Sequence, residues 1–254
     1  MVDMGTWVRR LIRRVRPRSF HGFVVGNAKT GTSSLHAMFR GAYRSAHEPE
    51  AEMLIPVVSD LLSGRTDVAI EEFLTKRDAR LRLELESSSP LVPVVPHLVR
   101  LFPDARFVLT ARDPRSWFAS QASHLIRNNE MRGTFWQLWR EARFAGHEFS
   151  DRDQPLRDAG LYPLAGFLSW WTRHNQIVLD AVPPERLLIV KTNDIGPRGA
   201  QIASFLGADP RKINLENSYM LKGLGLFDPG LLDDGYLTEQ IERFCGPMVR
   251  QLGL

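Results

Sequence analysis

The 254 residues, 43% of them hydrophobic, suffice to bury one full core, so a single domain is expected; the lone cysteine, Cys245, excludes an internal disulfide or a cysteine-based zinc site and fits a reducing compartment. No run of about 18 apolar residues is present and no apolar signal core opens the chain, which excludes a spanning helix and predicts a soluble, cytoplasmic protein. The formal charge of +4 is local: residues 1–18 hold six arginines against Asp3 for a net of +5, leaving the body at −1, which speaks against a nucleic-acid-binding surface.

In chain order, residues 1–18 form a basic arm in which Trp7, Val8, Leu11, Ile12 and Val15 share one helical face. The arm reads as a helix docked on the domain of residues 19–254 with its arginines in solvent; the sharper alternative is a peripheral contact to a membrane or an acidic partner. Strand signals of four to seven apolar or β-prone residues follow at 23–26, 43–46, 82–86, 107–111 and 187–190. Helical patterns fill the spaces at 32–40, 52–62, 68–77, 93–101, 114–128, 133–144 and 164–181, and Cys245 belongs to a last helix in which it packs. Polar, proline-bearing 149–163 and glycine-rich 217–235 read as surface loops. Strands alternating with helices of ten or more residues predict an α/β fold: a parallel sheet of about five strands, right-handed crossovers and helices on both faces, with ligands beyond the carboxyl ends of the strands.

Two of those ends carry chemistry. Residues 23–35 read FVVGNAKTGTSSL, an apolar strand, a glycine turn, a lysine and small hydroxyl residues opening a helix. A helix start offers unpaired N–H groups and the positive end of the macrodipole, so an anion docks there, and Gly26 and Gly31 let the backbone approach it. A nucleoside-triphosphatase loop has lysine directly after its second glycine, then a hydroxyl for magnesium. Here Thr32 follows Gly31, and Lys29 lies two positions before it. This is a phosphate cradle without the triphosphate wiring. The second end, RFVLTARDPRSWFASQ over 106–121, places Arg112 at a strand end and Ser120 eight residues later, a guanidinium fork and a hydroxyl that make a cup for a phosphate. The alternative for Arg112 is a capping ion pair with Asp113.

Together these motifs resemble the sulfotransferases that use 3′-phosphoadenosine 5′-phosphosulfate. The stretch FPDAR leading into FVLTARDP is also typical of them. The resemblance implies a P-loop-like nucleotide-binding fold. It further implies that Lys29, Thr30, Gly31, Thr32, Ser33 and Ser34 hold the 5′-phosphosulfate and that Arg112 and Ser120 hold the 3′-phosphate. The activity implied is in-line transfer of a sulfuryl group to a hydroxyl or amine on a small molecule, glycan or lipid, with no metal. Lys222 is the counterpart of a basic residue in the loop that closes over the nucleotide. Thr192 stands where many relatives place a tyrosine near the adenine, which leaves the adenine contacts unassigned. The scarcity of lysine, 5 against 28 arginines, with many alanines and prolines, hints at a GC-rich bacterial genome.

Sulfuryl transfer needs a base for the acceptor proton and a cation at the bridging oxygen. Lys29 supplies the cation. Some sulfotransferases carry a histidine base in the strand that here reads LESSSP over 85–90, where there is none. Carbohydrate and trehalose sulfotransferases carry a glutamate shortly after the second strand, which matches Glu48 or Glu50. Glu48 is favoured, then Glu50, then His47, against the reading of this cluster as a solvated turn. His97 and His124 are expected on helices as packing or surface residues, and Trp136, Trp139, Trp170 and Trp171 in the core. Two further classes compete with the leading one: a small-molecule kinase on a related fold, which the missing G-K-[ST] triplet disfavours, and a non-enzymatic nucleotide-binding module.

Overall fold

In the computed structural model, residues 17–65, 69–128, 131, 133–217 and 225–254 are described. Five strands, β1 Gly22–Val24, β2 Ser45–His47, β3 Leu85–Ser87, β4 Arg106–Ala111 and β5 Leu187–Lys191, form one sheet in the order β2-β3-β1-β4-β5. Every pair is parallel, with Phe23 opposite Glu86 on one side and Phe107 on the other. All five carboxyl ends therefore meet at one edge.

The helices are α1 Thr32–Phe39, α2 Ala51–Leu62, α3 Ile70–Leu81, α4 Val95–Leu101, α5 Pro114–Arg127, α6 Phe135–Phe144, α7 Gln154–Asp158, α8 Leu164–Ala181, α9 Gly199–Leu206 and α10 Asp234–Leu252. Side-chain alternation splits the core in two. Phe23, Val25, Phe107 and Leu109 point into the larger cluster with α2, α4, α5, α6, α8 and α10; Val24, Val108 and Val190 point into the smaller one with α1 and α9. Both faces of the central strands are thus covered, as parallel sheets require. Cys245 is buried in α10 with its thiol near the Leu168 carbonyl at 3.6 Å, a packing position.

Several boundaries depart from the sequence expectation. The strand expected at 43–46 starts at Ser45, because Tyr43 instead packs its ring on Phe20 and Phe39 and accepts from the Asp209 N–H at 2.8 Å. The strand expected at 82–86 begins at Leu85, since α3 runs on to Leu81 and Arg82 caps it in the left-handed region. Residues 149–163, expected as loop, contain a 3-10 turn and α7: Asp153 accepts from the Ser150 N–H at 3.1 Å and the Ser150 hydroxyl accepts from the Arg152 N–H at 3.2 Å, a local cap that starts a helix, with Pro155 in its first turn. The pattern at 93–101 divides into a 3-10 segment, Ser89–Val94, and α4, and α9 had no sequence expectation.

Arg18, the last arginine of the arm, is not in solvent: it forks onto Asp78 at 2.8 and 2.6 Å. The rest of the expected arm helix and Lys222 lie outside the described residues. Among the described residues, no helix is long and apolar enough to cross a membrane.

Candidate active site

The loop from β1 to α1 is built for tightness. A Cβ on Gly26 would lie 1.7 Å from the Thr110 hydroxyl, and one on Gly31, at φ 103°, would lie 2.2 Å from Ile195. Lys29 between them adopts φ 71°, a left-handed conformation that a non-glycine residue takes only where its surroundings enforce it. Thr30 is part of that enforcement rather than of the ligand surface. Its hydroxyl lies 2.6 Å from the Asn27 carbonyl and 2.7 Å from the Thr110 hydroxyl, and its N–H donates to the same Asn27 carbonyl at 3.2 Å.

Thr32 and Ser33 open α1, and both hydroxyls lie within reach of His47 Nε2, at 3.2 and 3.1 Å. Ser33 is exposed and Ser34 half-buried. The Ser87 hydroxyl donates to the Thr32 carbonyl at 2.8 Å, and the Ser89 hydroxyl accepts from the Ala28 N–H at 3.1 Å, so the end of β3 braces the cradle from one side.

The other side is held by β4, β5 and α8. Arg112 is half-buried; its Nη1 donates to the Lys29 carbonyl at 3.2 Å and its Nε to the Ser116 hydroxyl at 3.1 Å. Ser116 and Ser120 stand one turn apart on α5 and, with Arg112, Ser123, Phe227 and Asp228, line a cleft of about 500 Å³. The structure thus brings Arg112 and Ser120 to one cavity and adds Ser116, which the eight-residue spacing passes over. The Asp113 side chain caps α5 by accepting from the Ser116 N–H at 3.0 Å, so the Arg112–Asp113 capping pair is not what the motif builds. The Thr192 hydroxyl sits 2.9 Å from the Thr30 carbonyl and 3.1 Å from the Ala111 carbonyl, bridging the loop after β1 and the end of β4.

Beneath the loops, three indoles and an imidazole donate upward: Trp117 to the Ala28 carbonyl at 2.8 Å, Trp170 to the Asn27 side-chain carbonyl at 3.3 Å, Trp171 to the Arg112 carbonyl at 3.1 Å and His174 to the Val25 carbonyl at 2.9 Å. Trp139, Trp170 and Trp171 are core residues, as expected, while Trp136 is only partly buried. Two of them also act on the site through their N–H groups. Burial holds His174 down to about 3, which keeps the ring neutral.

The turn after β2 carries the remaining candidates. The Glu48 N–H donates to the Ser87 carbonyl at 3.0 Å, and Glu48 and Glu50 both take left-handed φ, 49° and 51°. Arg77 fixes this turn: it is buried, forks onto Glu86 at 2.7 Å twice, and donates to the Pro49 carbonyl at 2.6 Å. The three side chains then differ in kind. Glu50 is taken up by Arg80 at 2.8 and 2.6 Å, and that pairing holds its carboxyl below the ordinary range. His47 is pushed down to about 4 by burial and by His36. Burial pushes Glu48 up to about 7, with the Arg143 guanidinium pulling the other way.

The field around the cradle is strongly cationic, more than the motifs announce. Burial and the charges of Arg112 and Arg127 lower the Lys29 ammonium, and His124 is held down to about 4 by burial and by Lys29, Arg143, Arg140 and Arg127. Both histidines lie on helices, as expected: His124 on α5 feels these charges, and His97 on α4 sits against Glu71. Sequence reading missed Arg127, Arg140 and Arg143, whose positions on helices look like ordinary solvated charge.

Compared with known proteins, residues 23–215 match the family described as a sulfotransferase domain. Among solved structures, a sulfotransferase from Alicyclobacillus acidocaldarius aligns with a TM-score of 0.51 and 17% identity, covering 92% of this chain and 96% of that one. A sulfotransferase domain from the olefin synthase of Synechococcus PCC 7002 gives 0.43 at 17% identity over 88% and 86%. A sulfotransferase domain from the curacin biosynthetic pathway gives 0.48 at 15% over 92% and 98%. At these identities the first likeness speaks to the fold. No curated protein matches the sequence.

Proposed function

We infer the reaction from one premise: the chain belongs to the sulfotransferase domain family, the match spanning residues 23–215, and is a sulfuryl transferase. We propose that its donor is 3′-phosphoadenosine 5′-phosphosulfate and its acceptor a hydroxyl or amine. The observation that carries this reading is the meeting, at one sheet edge, of three unlike groups: the Lys29 cation in a tight cradle, the Arg112–Ser116–Ser120 cleft, and Glu48 with its carboxyl near neutrality.

In this reading the start of α1, Thr32 to Ser34, holds the 5′-phosphosulfate by the N–H groups that face out of the first turn and by the helix dipole. Arg112 and Ser120 hold the 3′-phosphate, and Ser116 orients the Arg112 fork. Glu48 accepts the acceptor's proton as the acceptor oxygen bonds to sulfur and the bond from sulfur to the 5′-phosphate oxygen breaks. Lys29 offsets the charge growing on that leaving oxygen, and 3′-phosphoadenosine 5′-phosphate departs. A base with its pKa near the working pH is the best compromise between being ionised and being basic, which favours Glu48 over His47 and Glu50.

The test is thermal stabilisation of the whole chain by 3′-phosphoadenosine 5′-phosphate against ADP with magnesium. A clearly larger rise with the first is expected. A preference for ADP with magnesium overturns the donor assignment and favours a kinase.

A further inference from the structure

His47 ends β2 and reaches across to the start of α1. Its Nε2 lies 3.2 Å from the Thr32 hydroxyl and 3.1 Å from the Ser33 hydroxyl. Its Nδ1 faces the Glu48 carboxylate at 3.9 Å, a distance at which charges are felt but no hydrogen bond forms. The spacing is held by the sheet: Ser87 lies opposite His47, and its hydroxyl donates to the Thr32 carbonyl at 2.8 Å, so β3 ties the start of α1 to the strand end that carries the ring. One imidazole thus stands between the helix start assigned to the 5′-phosphosulfate and the proposed base, and the proposed reaction gives it no part.

The ring is neutral, because burial and the neighbouring His36 hold it down to about 4. A neutral imidazole has one N–H and one bare nitrogen, while a serine or threonine hydroxyl has a single proton and two acceptor lone pairs. The two tautomers therefore treat an anion differently. A bare Nε2 takes a hydroxyl proton for itself, and an anion at the helix start loses that donor. A protonated Nε2 donates to the oxygens of Thr32 and Ser33 and leaves both hydroxyl protons to turn outward. The same tautomer leaves Nδ1 bare towards Glu48, so the ring offers that carboxylate no proton in competition with an acceptor.

We propose that His47, as the Nε2–H tautomer, is a positioning residue for the donor: it holds the Thr32 and Ser33 hydroxyls with their protons aimed at the 5′-phosphate group. It acts through these two hydroxyls and not as a base. The proposal rests on the sulfotransferase reading of α1.

Calorimetric titration of the full chain compares 3′-phosphoadenosine 5′-phosphate with adenosine 3′-phosphate, which lacks the 5′-phosphate. His47→Ala is expected to weaken the first about tenfold, the worth of one hydrogen bond to a charged group, and to leave the second unchanged. His47→Gln, whose amide N–H reaches the place of Nε2, should bind the first close to the parent's affinity. His47→Asn, whose shorter amide reaches only the place of Nδ1, should behave as the alanine variant. Equal losses for both nucleotides mark a general disturbance of the site and overturn the proposal, as does a glutamine variant no better than the asparagine one. Nitrogen NMR of the unmodified chain with labelled histidine needs no variant to fold: with 3′-phosphoadenosine 5′-phosphate bound, a proton on Nε2 of His47 is expected, and one on Nδ1 alone overturns the proposal. A parent protein that binds the two nucleotides equally shows instead that the reading of α1 has failed, and the proposal with it.

Discussion

The indole N–H of Trp171 donates to the backbone carbonyl of Arg112 at 3.1 Å, so a core helix holds a residue that lines the cleft proposed for the 3′-phosphate. Trp171→Phe keeps an aromatic ring but removes the donor and part of the buried indole's volume. It is expected to cost about 1–3 kcal/mol of stability, since the Arg112 carbonyl loses its partner and a small cavity opens, and to weaken 3′-phosphoadenosine 5′-phosphate binding several-fold. Chemical denaturation and calorimetric titration check the two effects; unchanged affinity would show that Arg112 needs no support from α8.

Arg112 itself is expected to matter more. Arg112→Ala removes the guanidinium that lies against the Lys29 carbonyl and opens the cleft, so stabilisation by 3′-phosphoadenosine 5′-phosphate should vanish while adenosine 5′-phosphosulfate, which lacks the 3′-phosphate, is affected far less. Equal losses for both nucleotides would move Arg112 away from the 3′-phosphate.

Glu48→Gln separates chemistry from binding. Turnover should fall by 10²-fold or more, about the contribution of a general base, with nucleotide affinity retained. In the parent enzyme the rate should climb with pH through about 7, as the carboxyl ionises. Stability moves the opposite way. The folded-state pKa lies above the ordinary 4.5, so the folded state holds the proton more tightly, and stability is lost as pH rises from 4.5 to about 7. The slope is at most about 1.4 kcal/mol per pH unit. Glu48→Gln should be the more stable protein at pH 8, and the gap should close near pH 4; paired melting curves at the two pH values decide it.

Gly26→Ala tests the cradle's tightness. The added methyl would sit 1.7 Å from the Thr110 hydroxyl and 2.6 Å from that of Thr30, so β1 and β4 must part. A loss of about 1–3 kcal/mol is expected, with nucleotide binding lost alongside. A melting temperature equal to the parent's would show that the loop gives way freely.

The sheet and the two strand-to-helix loops that carry Lys29 and Arg112 were legible because their signals are local: an apolar run, a turn and a helix start need no knowledge of the rest of the chain. Tyr43 misled for the converse reason. Its apolar character looks like a strand, but it plugs the smaller core between Phe20 and Phe39, and β2 begins at polar Ser45. The basic side of the site was illegible. Arg140 and Arg143 lie three residues apart on α6, where a charge ordinarily faces water, and only the packing of α6 on α2 and α8 turns them inward. Ser116 was hidden differently, since its reach to Arg112 Nε depends on where α5 starts, which Asp113 fixes by its cap.

The left-handed backbone at Glu48 has a consequence for how this protein can change. A side chain there costs about 1–2 kcal/mol that glycine would not incur. Glu48→Gly therefore lies one step towards a more stable fold, relieving the backbone and removing a poorly solvated acid together. In the proposed reaction that same step removes the proton acceptor. The turn is a point where selection for stability and selection for turnover pull in opposite directions, and a survey of heat-tolerant variants should find inactive proteins accumulating there.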